Sequence, residues 1–181
     1  DIESAEARAL DRELAIFSEL VDFVTRAGPR VRSLAAALAE WDVAASLAEV
    51  AHAHDYVRPV VDGGDALSIE HGRHPVVERH AALGRFVPND TELDLGAAHL
   101  WLVTGPNMSG KSTLMRQVAL IVVCAQIGAF VPAKRAVIGV VDRLLSRVGA
   151  SDAVARGDST FMVEMRETAS ILRYATRRSL V

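Results

Sequence analysis

The chain has 181 residues, of which 50% are hydrophobic and 24% charged, with a formal net charge of −3. This composition supports a buried core, and the acidic balance argues against a compact nucleic-acid-binding surface, which usually carries a basic patch. The single cysteine, Cys124, excludes an internal disulfide framework and favours a reducing, cytoplasmic compartment. The most apolar stretch, 118–131, is too short to span a bilayer, so we expect no membrane partner.

The first 57 residues predict two amphipathic helices. Apolar residues recur at helical spacing over 1–27 and again over about 30–54. Gly28 and Pro29 separate the two stripes, and this pair favours a helix end. A short connection between long helices indicates an antiparallel pair that packs on its neighbours, although a partner-binding hairpin gives the same pattern.

Residues 58–181 predict an α/β domain. Short strands are expected within 58–96, and a buried strand is expected at 99–104. Further predictions are a helix from 111 to about 127, one or two strands within 137–148, a helix at 160–177 and a strand beginning at 179. Alternating strands and helices favour a mostly parallel sheet covered by helices.

A glycine-rich loop at Gly105–Ser112 has the spacing G-x-x-x-x-G-K-S, with the predicted strand before it and the predicted helix after it. Glycines allow a tight turn and let main-chain N–H groups approach phosphates. The start of the helix adds partial positive charge at the same place. Lys111 would contact the β- and γ-phosphates, and Ser112 would offer its hydroxyl to Mg²⁺. The loop therefore predicts binding of ATP with Mg²⁺.

The residues around this loop carry a family resemblance. The run Thr104–Ala119, with Pro-Asn-Met inside the loop, resembles the phosphate loop of the MutS DNA mismatch-repair family. Further blocks that resemble the family in the same order are 72–78, 86–90, 128–133, 147–152 and 159–165. The resemblance implies an α/β ABC-type P-loop ATPase sheet covered by helices. Residues 1–57 would then be the end of the family's lever helices, and 58–181 the N-terminal part of the ATPase domain.

The resemblance also implies which residues meet the nucleotide. Phe86 would stack on adenine, although a core phenylalanine under a loop fits as well, and Asn107 would help contact the phosphates. Ser159, with Gly157 nearby, would complete the partner subunit's site in trans, although a helix N-cap also suits this serine. Ser109 stands where many relatives have Gly or Ala. The implied nucleotide-contacting set is Phe86, Gly105, Pro106, Asn107, Met108, Ser109, Gly110, Lys111, Ser112, Thr113 and Ser159, with Ser112 also on Mg²⁺.

No catalytic residue is nominated within the chain. The family's Walker B strand, with its catalytic carboxylates, would begin at 179–181, so we expect a piece of a longer protein that alone hydrolyses ATP negligibly. In the family, ATP binding and hydrolysis at a dimer interface control a clamp on mismatched DNA. The resemblance thus implies a homodimer, a MutL-type partner, and DNA contacts outside this chain.

Two other functions stay open. The chain could be a non-hydrolysing interaction module, or part of a MutS paralogue acting in recombination. The six histidines lack metal-ligand spacing and are interpreted as surface or loop residues rather than a metal site. Cys124 is interpreted as a buried, inert thiol. The carboxylates of Asp152, Glu164 and Glu167 are interpreted as solvated or helix-terminal charges.

Overall fold

A computed structural model describes residues 2–80, 86–147 and 160–181. The chain forms two compact units, Asp1–Ser46 and Leu47–Val181. The described elements, in chain order, are α1 (Ile2–Ala53), β1 (Val60–Asp62), β2 (Leu67–Gly72), a 3-10 turn (Val77–Arg79), β3 (Asn89–Leu93), α2 (Lys111–Gln126), β4 (Arg135–Gly139) and α3 (Thr160–Tyr174).

The first element is one helix of 52 residues, so the predicted antiparallel pair is wrong. Pro29 lies inside α1 and removes one main-chain donor. The surrounding turns are largely exposed, so water can satisfy the carbonyl that loses its partner, and the helix continues. The Arg32 side chain lies over Gly28, 3.4 Å from where a Cβ would stand. Among the described residues, no helix is both long and apolar enough to cross a membrane.

The sheet has four described strands in the order β1-β4-β2-β3. β1 pairs with β4 in parallel, whereas β2 is antiparallel to both β4 and β3. The α/β class is therefore confirmed, but the mostly parallel arrangement is wrong for these strands. The reason is the connections: β1 returns into β2 through a turn of four residues, too short for a parallel crossover. A helical crossover is instead used before β4, which enters between β1 and β2.

The turn between β1 and β2 passes directly over the end of β4. A Cβ at Gly139 would lie 2.8 Å from the carbonyl carbon of Gly64, so the crossing requires glycine at 139. The Arg178 guanidinium fixes the turn by donating to the carbonyl oxygens of Gly63 and Gly64, at 2.8 and 3.0 Å. Arg178 thus holds the turn beside the edge strand β1. Within the predicted strand that begins at 179, Leu180 forms a parallel bridge with Leu144.

The hydrophobic core lies between α2 and one face of the sheet. Ile121 and Val122 on α2 are almost wholly buried against β2 and β4. The core residues are Leu67, Ile69, Val118, Ile121, Val122, Ala125, Val131, Ala133, Ala136 and Ile138. At the far end of α2, the Gln126 side chain exchanges two hydrogen bonds with the main chain of Val141, at 2.6 and 3.0 Å. Both packing and hydrogen bonds therefore fix this helix, whose bounds agree with the predicted 111 to about 127.

The end of α1 is joined to the sheet by a polar cluster around Arg73. Its guanidinium donates to Glu78 Oε2 at 2.7 Å and to the carbonyl oxygens of His54 and Asp55, just beyond α1, at 2.8 and 3.2 Å. The Tyr56 hydroxyl donates to the other Glu78 oxygen at 3.3 Å. Cationic donors suit carbonyls at a helix C-terminus, so the block 72–78 forms a structural joint.

The predicted buried strand at 99–104 is wrong. These residues form no strand, and Leu100 and Leu102 are 79% and 88% exposed. An apolar run becomes a buried strand only when neighbouring strands pair with it, and none of the described strands does so. The hydrophobicity of this run therefore did not determine its secondary structure.

Adjacent valines on α2 provide a matched test of this packing. Val122 is 1% exposed and Val123 is 45% exposed. We expect Val122→Ala to lower the free energy of unfolding by about 2 kcal/mol, because it removes buried methyl groups and leaves a cavity. Val123→Ala should change it by no more than about 0.5 kcal/mol. Urea unfolding followed by circular dichroism measures both, and equal losses would contradict the orientation of the helix.

Tyr56 gives the joint a dependence on pH. Burial, together with the Glu78 carboxylate, raises the pKa of the Tyr56 phenol from 10.0 to about 12. Because the pKa is raised in the folded state, this stabilisation is complete below about pH 10 and is lost as the pH rises through the folded pKa. The absorbance difference between wild type and Tyr56→Phe should titrate with a midpoint near 12. A midpoint at the ordinary phenol value would contradict both the burial of Tyr56 and its contact with Glu78.

Candidate nucleotide-binding site

The loop at 105–112 has a backbone that ordinary residues rarely adopt. Gly105 and Gly110 have φ values of 154° and 93°, and Met108, at 66°, is also in the positive region. Positive φ costs glycine little, which explains glycine at both ends of the loop. A Cβ on Gly105 would lie 2.9 Å from Ser109 Oγ, so the serine hydroxyl lies against the bare glycine. The Ser109 N–H donates to the Pro106 carbonyl at 3.3 Å and closes the turn.

Lys111 folds back over this loop. Its ammonium Nζ donates to the carbonyl oxygens of Gly105 and Pro106, at 2.7 and 2.6 Å. Both carbonyls belong to the start of the loop, whereas the lysine is the first residue of α2. The loop is therefore a closed arch with one cationic group at its mouth, and contact of that group with phosphates stays a prediction.

The start of α2 supplies main-chain donors at the same place. Gly110 is the N-cap, and its carbonyl accepts the first helical hydrogen bond from Leu114 N–H at 2.9 Å. The N–H groups of residues 111–113 precede that bond and have no carbonyl partner within the helix. Ser112 is exposed and Thr113 is half-buried. Free amides, a helix N-terminus and an ammonium group together suit a polyanion, and the exposed hydroxyl of Ser112 suits a hard cation such as Mg²⁺.

The structure describes three of the remaining predicted nucleotide contacts and leaves Ser159 outside the described residues. Asn107 is exposed on the loop, and Met108 is fully exposed. Phe86 is half-buried, three residues before β3, and its place beside an adenine stays a prediction. Ser159 and Gly157 lie outside the described residues.

The other candidate groups have structural partners. His74 is buried, unlike the surface position expected for it, and its Nδ1 accepts hydrogen bonds from the N–H groups of Val76 and Val77 at 3.3 Å. Burial lowers the pKa of His74, which favours the neutral ring that accepts these bonds. Within the described ranges, no three His, Cys, Asp or Glu residues are grouped to hold a metal ion.

Cys124 and the two glutamates of α3 also have structural surroundings that account for them. Cys124 is half-buried on α2, and burial raises the pKa of its thiol, which lowers its reactivity. Glu164 and Glu167 both pair with Arg147, at 2.5 and 3.5 Å, so they are ion-pair partners rather than free carboxylates. Asp152 lies outside the described residues.

One polar residue of the site region escaped the sequence interpretation. Gln117 lies six residues after Lys111 on α2 and is completely buried. Its side-chain amide has no hydrogen-bond partner among the described residues. A glutamine within the apolar face of a helix is the signal that could have marked it, since buried polar groups are normally paired.

Comparison with known proteins agrees with these features. The family model described as MutS domain V matches residues 101–181. A DNA mismatch repair protein MutS from Sorangium cellulosum is 70% identical over 180 residues, which is 99% of this chain and 20% of the relative. Proteins of the same name from Syntrophobacter fumaroxidans and Caldicellulosiruptor bescii are 52% and 50% identical, over 98% and 100% of this chain.

This chain spans about a fifth of the length of these relatives. The match nonetheless extends over the long helix, the sheet, the loop at 105–112 and α3. From the loop geometry and this likeness together, the chain belongs to the MutS family.

Proposed function

We propose that this chain is the ATP-binding part of a DNA mismatch-repair protein. The observation that carries the proposal is the arch at 105–112, closed by Lys111 and continued by the free amides at the start of α2. Such an arrangement suits the triphosphate of a nucleotide, because several donors are already fixed around the place where its charge would lie. Mg²⁺ would bind beside Ser112 and neutralise part of the phosphate charge.

In this proposal, the carbonyls of Gly105 and Pro106 hold the Lys111 ammonium in place until phosphate arrives. The ammonium then exchanges two neutral acceptors for charged phosphate oxygens, which form stronger hydrogen bonds. Phe86 would provide a stacking face for adenine, and Ser159 would contact the nucleotide of a partner subunit. None of the residues named here would be the catalytic carboxylate for ATP hydrolysis.

The role in repair rests on the relatives, which are named DNA mismatch repair proteins. The whole protein would act as a homodimer, with ATP binding and hydrolysis controlling its clamp on mismatched double-stranded DNA. The chain's net charge of −3 supports DNA contacts through other regions, and a MutL-type protein would be a further partner.

The chain contains two lysines, Lys111 and Lys134, and these provide a matched test. We expect Lys111→Ala to weaken Mg²⁺-ATP binding by about 100-fold, because a charge-assisted contact to two phosphates is lost. Lys134→Ala should leave the affinity unchanged, since this exposed lysine directly precedes β4 and is not part of the loop. Isothermal titration calorimetry measures both. Equal affinities for the two variants would remove the phosphate loop from the proposal.

The Ser112 hydroxyl should make the affinity for ATP depend on Mg²⁺. Ser112→Ala should lower the ATP affinity in Mg²⁺ to about the level that wild type shows in EDTA, because the hydroxyl ligand is gone. Ser112→Thr keeps the hydroxyl and should keep most of the Mg²⁺ effect. Titrations with and without Mg²⁺ distinguish the variants. A full Mg²⁺ effect in Ser112→Ala would place the metal elsewhere.

A further inference from the structure

Gln117 is the most unusual buried group of the described chain. It is 0% exposed, and neither its amide nitrogen nor its amide oxygen has a hydrogen-bond partner among the described residues. Burying an unpaired amide is unfavourable, so a glutamine at this position needs a compensating interaction in some state of the protein. The helix that carries it begins at the phosphate loop.

The neighbours of this amide identify the interaction. A Cβ on Gly72 would lie 2.7 Å from Gln117 Nε2 and 3.2 Å from the main-chain oxygen of Asn89. The amide and this carbonyl thus approach the same point, above a glycine that leaves the space open. Gly72 faces Asn89 where the pairing of β2 with β3 is irregular, beyond the regular pair of Ile69 with Thr91.

Asn89 in turn fixes the segment that leads back to Phe86. Its side-chain amide donates to the Val87 carbonyl at 3.0 Å. The next residue, Asp90, accepts a hydrogen bond from the His71 N–H at 2.6 Å. These hydrogen bonds join residues 87–90 to one another and to the end of β2. A small movement of Asn89 would therefore also move Val87 and the adjacent Phe86.

We propose that Gln117 is a positioning residue: with nucleotide bound, its side-chain amide donates to the main-chain carbonyl of Asn89 and so couples the phosphate-binding helix to the segment that carries Phe86. The inference rests on the function proposed above. The proposed phosphate contacts lie at the start of α2, and Gln117 lies less than two turns further along that helix. The hydrogen bond satisfies a buried donor and orders residues 86–90, the proposed base-binding segment, in one step.

The test compares two ligands in the complete polypeptide that contains this chain. Mg²⁺-ATP engages both the phosphate loop and the base-binding segment, whereas Mg²⁺-tripolyphosphate engages the loop alone. Gln117→Met keeps the length and volume of the side chain but removes the donor. We expect it to weaken ATP binding about tenfold, as for one lost hydrogen bond, and to leave tripolyphosphate binding within about twofold.

Two further variants sharpen the result. Thr91→Val is the matched control, because the Thr91 hydroxyl is also buried and unpaired within the described part of the chain. It should leave the ratio of the two affinities unchanged. If Gln117→Met does not fold, Gly72→Ala provides a second way to block the contact. It places a methyl group where the amide and the Asn89 carbonyl converge, and should cause the same selective loss of ATP affinity.

The outcomes separate this inference from the proposed function. Equal changes for both ligands in Gln117→Met, no change at all, or an equal selective loss in Thr91→Val would overturn the positioning role. If wild type binds neither ligand, or binds them without help from Lys111, the proposed function fails and this inference fails with it. If Lys111 is required but Gln117→Met leaves the affinity ratio intact, only the positioning role is rejected.

Discussion

The packing of α2 against β2 and β4 is the interaction on which the rest of the site depends. Ile121 and Val122 bury one face of the helix, and Gln126 ties its far end to Val141. A helix fixed in this way has a fixed N-terminus, so its free amides and partial positive charge keep one direction. The loop at 105–112 begins from that rigid base, which is how a surface loop can present preorganised donors.

Around this core, two glycines let separate parts of the chain cross closely. Gly139 lets the turn after β1 pass over β4, and Gly72 leaves room for the Gln117 amide. The same short block that contains Gly72 also joins the end of α1 to the sheet through Arg73 and Glu78. This short block therefore contacts both the end of α1 and the side chain of Gln117 on α2. Its role in the described structure is mechanical.

The family relationship and the geometry support different parts of the functional argument. Relatives that are 50–70% identical over nearly the whole chain establish the family. The conformation of the loop, with Lys111 across its mouth, gives the physical reason to propose ATP as the ligand. For the proposed adenine contact at Phe86 neither suffices alone, and there the buried amide of Gln117 offers an interaction that can be tested.

The sequence by itself determined the local features: the glycine-rich turn at 105–112, the bounds of α2, the helix at α3 and the short strands after residue 58. These depend on spacing and turn chemistry within a few residues. Tertiary structure decided the mixed sheet, the continuity of α1 through Pro29, the absence of a strand at 99–104 and the burial of Gln117. Each of these depends on which distant groups supply hydrogen bonds and cover apolar surface, and a linear pattern does not contain that information.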